Sequence, residues 1–168
     1  MRFAAPATAV AMVFALTASM GQGADRVTDP RAVALLSQGR AALDAGQTEQ
    51  AIDAFEAALA VDPGSPEIFN DLGDAARING LQGKAIRYYR DAMRLDPKNL
   101  EAISGEGTAL VEKGAVEKAN RNLAKLETLC GPNCPATRQL AAAIAKGPQQ
   151  RILTAEAVMP DSSVTQQN

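Results

Sequence analysis

Histidine is absent from the 168 residues. That absence removes an imidazole general base, a His-ligated metal and every Ser-His or Cys-His nucleophile pair. Tryptophan is missing too, and four Phe with two Tyr complete the aromatic set, which disfavours an aromatic-rich β-sandwich. Neither charge sign dominates: 17 Lys and Arg against 19 Asp and Glu leave a net charge of -2. The two signs are interspersed, so there is none of the basic footprint that a nucleic-acid backbone requires. Two cysteines without histidine do not make a Zn site, and no metal or cofactor is implied. What is abundant is Ala and Leu, strong helix formers, in a chain whose length suits one modest domain with a buried core. The expectation is an all-α protein without catalytic machinery.

The long apolar run stands at the start. Arg2 precedes an Ala-rich stretch from Phe3 to about Met20, and small residues follow before Asp25, the layout of a secretory signal peptide. Residues 1–23 are therefore read as a signal, cleaved before Ala24 or before Gln22. A retained anchor is the alternative, but Pro6, Thr8, Thr17 and Ser19 dilute the run to marginal spanning strength. No Cys lies near the cleavage region to carry a lipid. The mature chain is expected to be periplasmic or secreted, in an oxidising space, with no stable membrane insertion.

From there the sequence repeats with a period of 34. Asp62-Pro63 recurs as Asp96-Pro97, and the segments before them correspond, AIDAFEAALAVDP against AIRYYRDAMRLDP. Gly39, Gly73 and Gly107 hold the same spacing, as do Gly46, Gly80 and Gly114, and Ala51, Ala85 and Ala119. The copies run over about 32–65, 66–99 and 100–133. Each holds two apolar runs at helical spacing, broken by its second Gly, so each reads as a helical hairpin. Asp29-Pro30, Ser65-Pro66 and Asn99-Leu100 supply helix-start signals. The small residues Gly39, Gly73 and Gly107 are expected to admit Phe55, Tyr89 and Leu123 beside them. One hairpin cannot bury its apolar face, so the copies must stack.

Phe69, Leu72-Gly73, Ala85, Tyr89, Ala92 and Pro97 of the second copy resemble the pattern of the tetratricopeptide repeat (TPR) family. The first copy keeps Gly39, Ala51, Phe55, Ala58 and Pro63 but has Gln38 where Leu is usual. The third has Glu106 there, Leu123 for the aromatic and Gly131 for the Pro. The resemblance implies a right-handed superhelical array of three hairpins within a TPR domain over 24–146. After the third copy, Cys134-Pro135 leads into a run with Leu140, Ile144 and several Ala on one face, read as a capping helix over 135–146, and the Gln-, Ser- and Pro-containing tail over 147–168 is read as disordered. The resemblance also implies a peptide-binding groove lined by the first helix of each hairpin: Leu36, Arg40 and Asp44, then Asn70, Asp74 and Arg77, then Ser104, Thr108 and Glu112. The Lys-Asn-Asn-Lys-Arg clamp of chaperone-binding members falls here on Leu36, Arg40, Asp71, Ser104 and Thr108, so that clamp is absent. Arg40, Asn70 and Arg77 remain available for an extended peptide's backbone or acidic side chains; the plain alternative is solvated surface.

Cys130 and Cys134 flank a tight Gly-Pro-Asn turn before the cap. In an exported protein they are placed to close as a disulfide that pins the cap. A catalytic dithiol is the alternative, but the three-residue spacing and the helical surroundings depart from the redox motif. Lys84, Arg87, Arg90 and Arg94 make a basic stripe, read as an ion ladder against Asp53 and Glu56 of the preceding copy, or as a phosphate or acidic-partner site. The tail carries apolar islands at Ile152-Leu153 and Val158-Met159 that offer a docking segment. The combined expectation is an exported, non-catalytic scaffold that binds a protein or peptide, in the manner of small exported TPR proteins that accompany envelope and pilus assembly. Thiol-disulfide exchange and self-association into a homo-oligomer are its rivals.

Overall fold

The computed structural model describes residues 29–148. The expected signal segment and the tail from 149 onward lie outside the described residues. Among these, seven helices and no strand are present: α1 (Pro30–Asp44), α2 (Thr48–Val61), α3 (Pro66–Ile78), α4 (Gln82–Leu95), α5 (Leu100–Glu112), α6 (Val116–Cys130) and α7 (Pro135–Lys146). The pairs α1 with α2, α3 with α4 and α5 with α6 form antiparallel hairpins. Contacts of α2 with α3 and of α4 with α5 stack them, and α7 packs on α5 and α6. The all-α repeat array is the one expected. None of these helices is long and apolar enough to cross a membrane.

The local signals become caps and turns. Asp29 accepts a bond from Arg31 N at 2.8 Å, and Asn99 Oδ1 accepts one from Ala102 N at 2.8 Å. Ser65 differs, being buried without a side-chain cap bond; α3 starts on Pro66, whose missing N–H removes one donor from the helix end. Gly80 has φ 75°, a left-handed conformation that costs glycine little. There Gly80 N bonds Arg77 O at 3.0 Å and Leu81 N bonds Ala76 O at 2.8 Å, the paired bonds that satisfy the last carbonyls of a helix. Gly46 and Gly114 repeat the arrangement at φ 74° and 85°.

Packing follows the small-to-large expectation twice and departs from it once. A Cβ on Gly39 would strike Phe55, and one on Gly73 would stand 2.6 Å from Tyr89 Cε1. Tyr89 also lies against Gly105, so two glycines of successive hairpins make its slot. At Gly107 the expected partner was Leu123, but the occupant is Leu140 of α7, with Cδ1 2.6 Å from where a Cβ would be. The capping helix packs directly on α5 and puts Leu140 into the gap at full burial, while Leu123, a side chain of the same size, is only partly buried against the same cluster.

The ion ladder is corrected too. Arg90 pairs forward with Glu106 at 2.7 Å, Arg94 pairs with Asp91 on its own helix, and among the described residues neither Arg87 nor Arg90 pairs with Asp53 or Glu56. The reason is topological: α4 packs on α5, not on α2. Glu106, the departure from the usual Leu, is thereby satisfied while only 6% exposed, since Asn122 Nδ2 also donates to it at 2.9 Å.

Candidate functional site

The first helices α1, α3 and α5 contact one another in sequence, and α7 continues the row. Across them runs a cleft of ≈ 640 Å³, lined by Arg40 from α1, Asp71 and Asp74 from α3, Glu101 from α5, and Pro135 and Gln139 from α7, with Cys134 at its edge. A smaller hollow of ≈ 240 Å³ lies between α3, α5 and α7, where Arg77, Thr108, Glu112 and Lys146 meet.

Several residues expected in the groove are buried instead. Leu36 is 3% exposed and belongs to the core around Phe55, Ile68 and Leu72. Ser104 is 2% exposed, and its hydroxyl donates to Ala136 O of α7 at 3.2 Å. Asn70 is 5% exposed and its Nδ2 is already used, on Asn99 Oδ1 at 3.2 Å and Glu101 Oε2 at 3.4 Å. These three positions hold the array together: Leu36 packs against the next hairpin, Asn70 bonds the start of α5, and Ser104 bonds the capping helix α7. Thr108 turns its hydroxyl back to Ser104 O at 3.0 Å, and Asp44 lies apart at the exposed end of α1, beside a shallow hollow.

The remaining cations are matched. Arg40 Nη2 lies 2.9 Å from Asp71 Oδ2, so two positions that would share a clamp for a carboxylate satisfy each other. Arg77 Nη1 lies 2.8 Å from Glu112 Oε1, with Asp74 at 3.9 Å. Asp74 also accepts the Tyr89 hydroxyl at 2.7 Å, and burial, then the Asp74 charge, push the Tyr89 phenol well above its ordinary range. The Arg40–Asp71 partners respond unequally. The Asp71 bond holds Arg40 charged, whereas burial pushes the Asp71 carboxyl above 3.8, with Asp74 and Glu101 adding to it and Arg40 opposing. The cleft therefore carries Asp71, Asp74 and Glu101 against Arg40 alone among its charged lining residues. Asp71 and Glu101, and the whole contribution of α7, were not read as binding residues from the sequence. A usable signal existed, since Pro135 opens α7 as Pro30 and Pro66 open α1 and α3, and Gly147, with φ 73°, ends it as Gly46, Gly80 and Gly114 end α1, α3 and α5.

Cys130 and Cys134 form the expected disulfide, with Cα atoms 5.9 Å apart. Thr137 Oγ1 lies 3.1 Å from Cys134 Sγ and donates to Gly131 O at 2.9 Å. Among the described residues no group of His, Cys, Asp and Glu is arranged to hold a metal ion.

Residues 36–99 match the family model described as tetratricopeptide repeat. The structure is similar to the TPR domain of Sgt2 from Aspergillus fumigatus, at 24% identity and TM-score 0.65, covering 84% of this chain and 93% of that one. It is similar to the first TPR of Spaghetti (RPAP3) bound to the HSP90 peptide SRMEEVD, at 22% identity and TM-score 0.62, covering 71% and 99%. A third likeness is to the Yersinia enterocolitica type III secretion chaperone SycD in complex with a peptide of the translocator YopD, at 23% identity and TM-score 0.60, covering 68% and 86%. No curated protein sequence gives a significant match.

Proposed function

We propose, on the premise that this chain carries tetratricopeptide repeats over residues 36–99 and stacks them into an all-α array, that it is a non-catalytic scaffold whose groove binds an extended, cationic segment of another protein. The observation that carries this reading is the cleft crossing α1, α3, α5 and α7, in which three carboxylates face one already paired arginine. Charge complementarity selects partners and speeds their encounter more than it adds affinity. The fold's capacity for extended peptides is supported by the neighbours with HSP90 and YopD peptides. An acidic peptide such as SRMEEVD would be repelled here.

Fluorescence anisotropy with two labelled peptides of equal length, one Lys-rich and one Glu-rich, tests the reading. The Lys-rich peptide is expected to bind and the Glu-rich one not. Glu101→Lys should weaken binding roughly tenfold, as one charge beside the ligand reverses sign, a change of two units. Arg40→Ala should strengthen it, because Asp71 is released to the ligand. Preference for the Glu-rich peptide, with loss in Arg40→Ala, would restore the acidic-ligand reading and end this one.

Export belongs to the same proposal: residues 1–23 direct the chain to the periplasm or beyond, where it assists assembly of an envelope or pilus complex. The disulfide supports this, because such bonds persist in oxidising spaces. N-terminal sequencing of the protein from a fractionated native host is expected to begin at Ala24 or Gln22. An intact Met1 in the cytoplasmic fraction would refute it.

A further inference from the structure

We propose that the Cys130–Cys134 disulfide is a redox latch on α7 and thereby controls one wall of the groove; the second clause rests on the peptide-binding reading above. Only Thr137 and Leu140 of α7 are buried. Its anchors are Leu140 in the gap at Gly107, the Ser104 bond to Ala136 O, the Thr137 bond to Gly131 O, and the disulfide at its entry. Cys134 is at once the N-cap of α7, half of the disulfide and an edge of the cleft. The bond therefore sits where the groove, the array and the cap meet. Repeat arrays open from their ends, and α7 ends this one among the described residues.

While the bond is closed, a detached α7 keeps a five-residue ring over 130–134, so the turn that joins it to α6 gains little chain freedom. Cleaving it returns that freedom, which by loop-closure entropy favours the detached state roughly thirtyfold. Detachment removes Pro135 and Gln139 from the cleft and leaves Asp71 and Glu101 on an open surface. The reductant is a dithiol. Its thiolate attacks one sulfur of the disulfide and expels the other cysteine as thiolate, its second thiolate then attacks the mixed disulfide and expels the remaining cysteine, and two electrons pass to Cys130 and Cys134. Both end as thiols, carrying the two protons of the dithiol, which leaves as its own disulfide.

Hydrogen exchange read by mass spectrometry on the full chain, oxidised and after treatment with dithiothreitol, tests the latch. Segment 135–146 is expected to exchange roughly thirtyfold faster on reduction, with α1 to α4 unchanged, and the Lys-rich peptide's Kd is expected to rise as the inverse of the fraction of chains that keep α7 docked. A Cys130→Ser, Cys134→Ser variant should match the reduced protein and ignore the dithiol; if it folds poorly, the reduced wild type carries the comparison. Equal protection of 135–146 in both states overturns the latch. An affinity that departs from the docked fraction given by the exchange rates overturns its link to the groove. If the oxidised protein binds neither peptide, the groove reading alone fails, and the exchange rates still decide the latch.

Discussion

Tyr89 is specified from three sides. Its ring lies against Gly73 and Gly105, and its hydroxyl donates to Asp74. Burial keeps the phenol protonated far into the alkaline range, so the donor that Asp74 needs is retained. An added methyl at Gly73 forces the ring off its rotamer or shifts a helix, and Gly73→Ala is expected to cost about 1–3 kcal/mol in urea unfolding. A neutral result would mean that the slot is loose. Asp71 allows a prediction about pH. Folding raises its pKa, chiefly by burial, so the folded chain holds that proton more tightly than the unfolded one. The cost of ionising it in place is absent at low pH and develops as pH rises from 3.8 through the higher folded value. Asp71→Asn, which cannot ionise, should therefore gain stability relative to wild type between about pH 3 and pH 7. Thermal unfolding of both proteins across that range checks the sign; a gap that is flat or narrows contradicts it.

The end of α5 that faces Asn70 and the whole of α7 depend on few contacts each. Asn99 caps α5 and also accepts from Asn70, which ties the second hairpin to the third. Asn99→Ala should cost about 1 kcal/mol from the cap alone. The Asn70 amide would lose the shorter of its two bonds as well, keeping only Glu101, so the measured loss should exceed that of an isolated cap. Leu140 is fully buried in the gap that Gly107 leaves. Leu140→Ala is expected to cost about 2–5 kcal/mol by cavity creation, and the loss should concentrate in α7 and α5 when hydrogen exchange is read helix by helix. A uniform loss over all seven helices would mean that the cap and the array unfold as one unit.

Charge is distributed across the whole array. The cleft gathers Asp71, Asp74 and Glu101, while Lys84, Arg87, Arg90 and Arg94 stand on α4, the second helix of its hairpin. Arg94 is largely exposed in its pair with Asp91, which contributes little stability, whereas Arg90 matches the buried carboxylate of Glu106. Most of the cohesion between hairpins comes instead from the two apolar clusters, which share Tyr88. Salt should therefore barely move the unfolding midpoint of the array but weaken the Lys-rich peptide strongly, since exposed charges are screened over about 8 Å at physiological ionic strength. Peptide affinity that is insensitive to salt would contradict an electrostatic groove.

The sequence by itself determined what local chemistry and period can determine. Glycines and alanines at a spacing of 34, Pro after Asp29 and Ser65, and Asn99 before Leu100 are short-range signals, and hairpins, caps and left-handed turns follow from them. Stacking the copies was also legible, because an amphipathic hairpin has no other way to bury its face. Tertiary structure alone decided which copy each side chain serves. Leu140 displaced Leu123 at Gly107, Glu106 found Arg90 and Asn122, and Leu36, Asn70 and Ser104 went under the surface they were expected to line. These outcomes depend on distances between elements whose hydrogen-bonded residues stand from 16 to 32 positions apart in the chain, and a period in sequence does not encode which neighbour arrives first. The groove's sign followed the same rule: Arg40 was visible as a cation, but only the fold placed Asp71 against it and left Asp74 and Glu101 beside the pair.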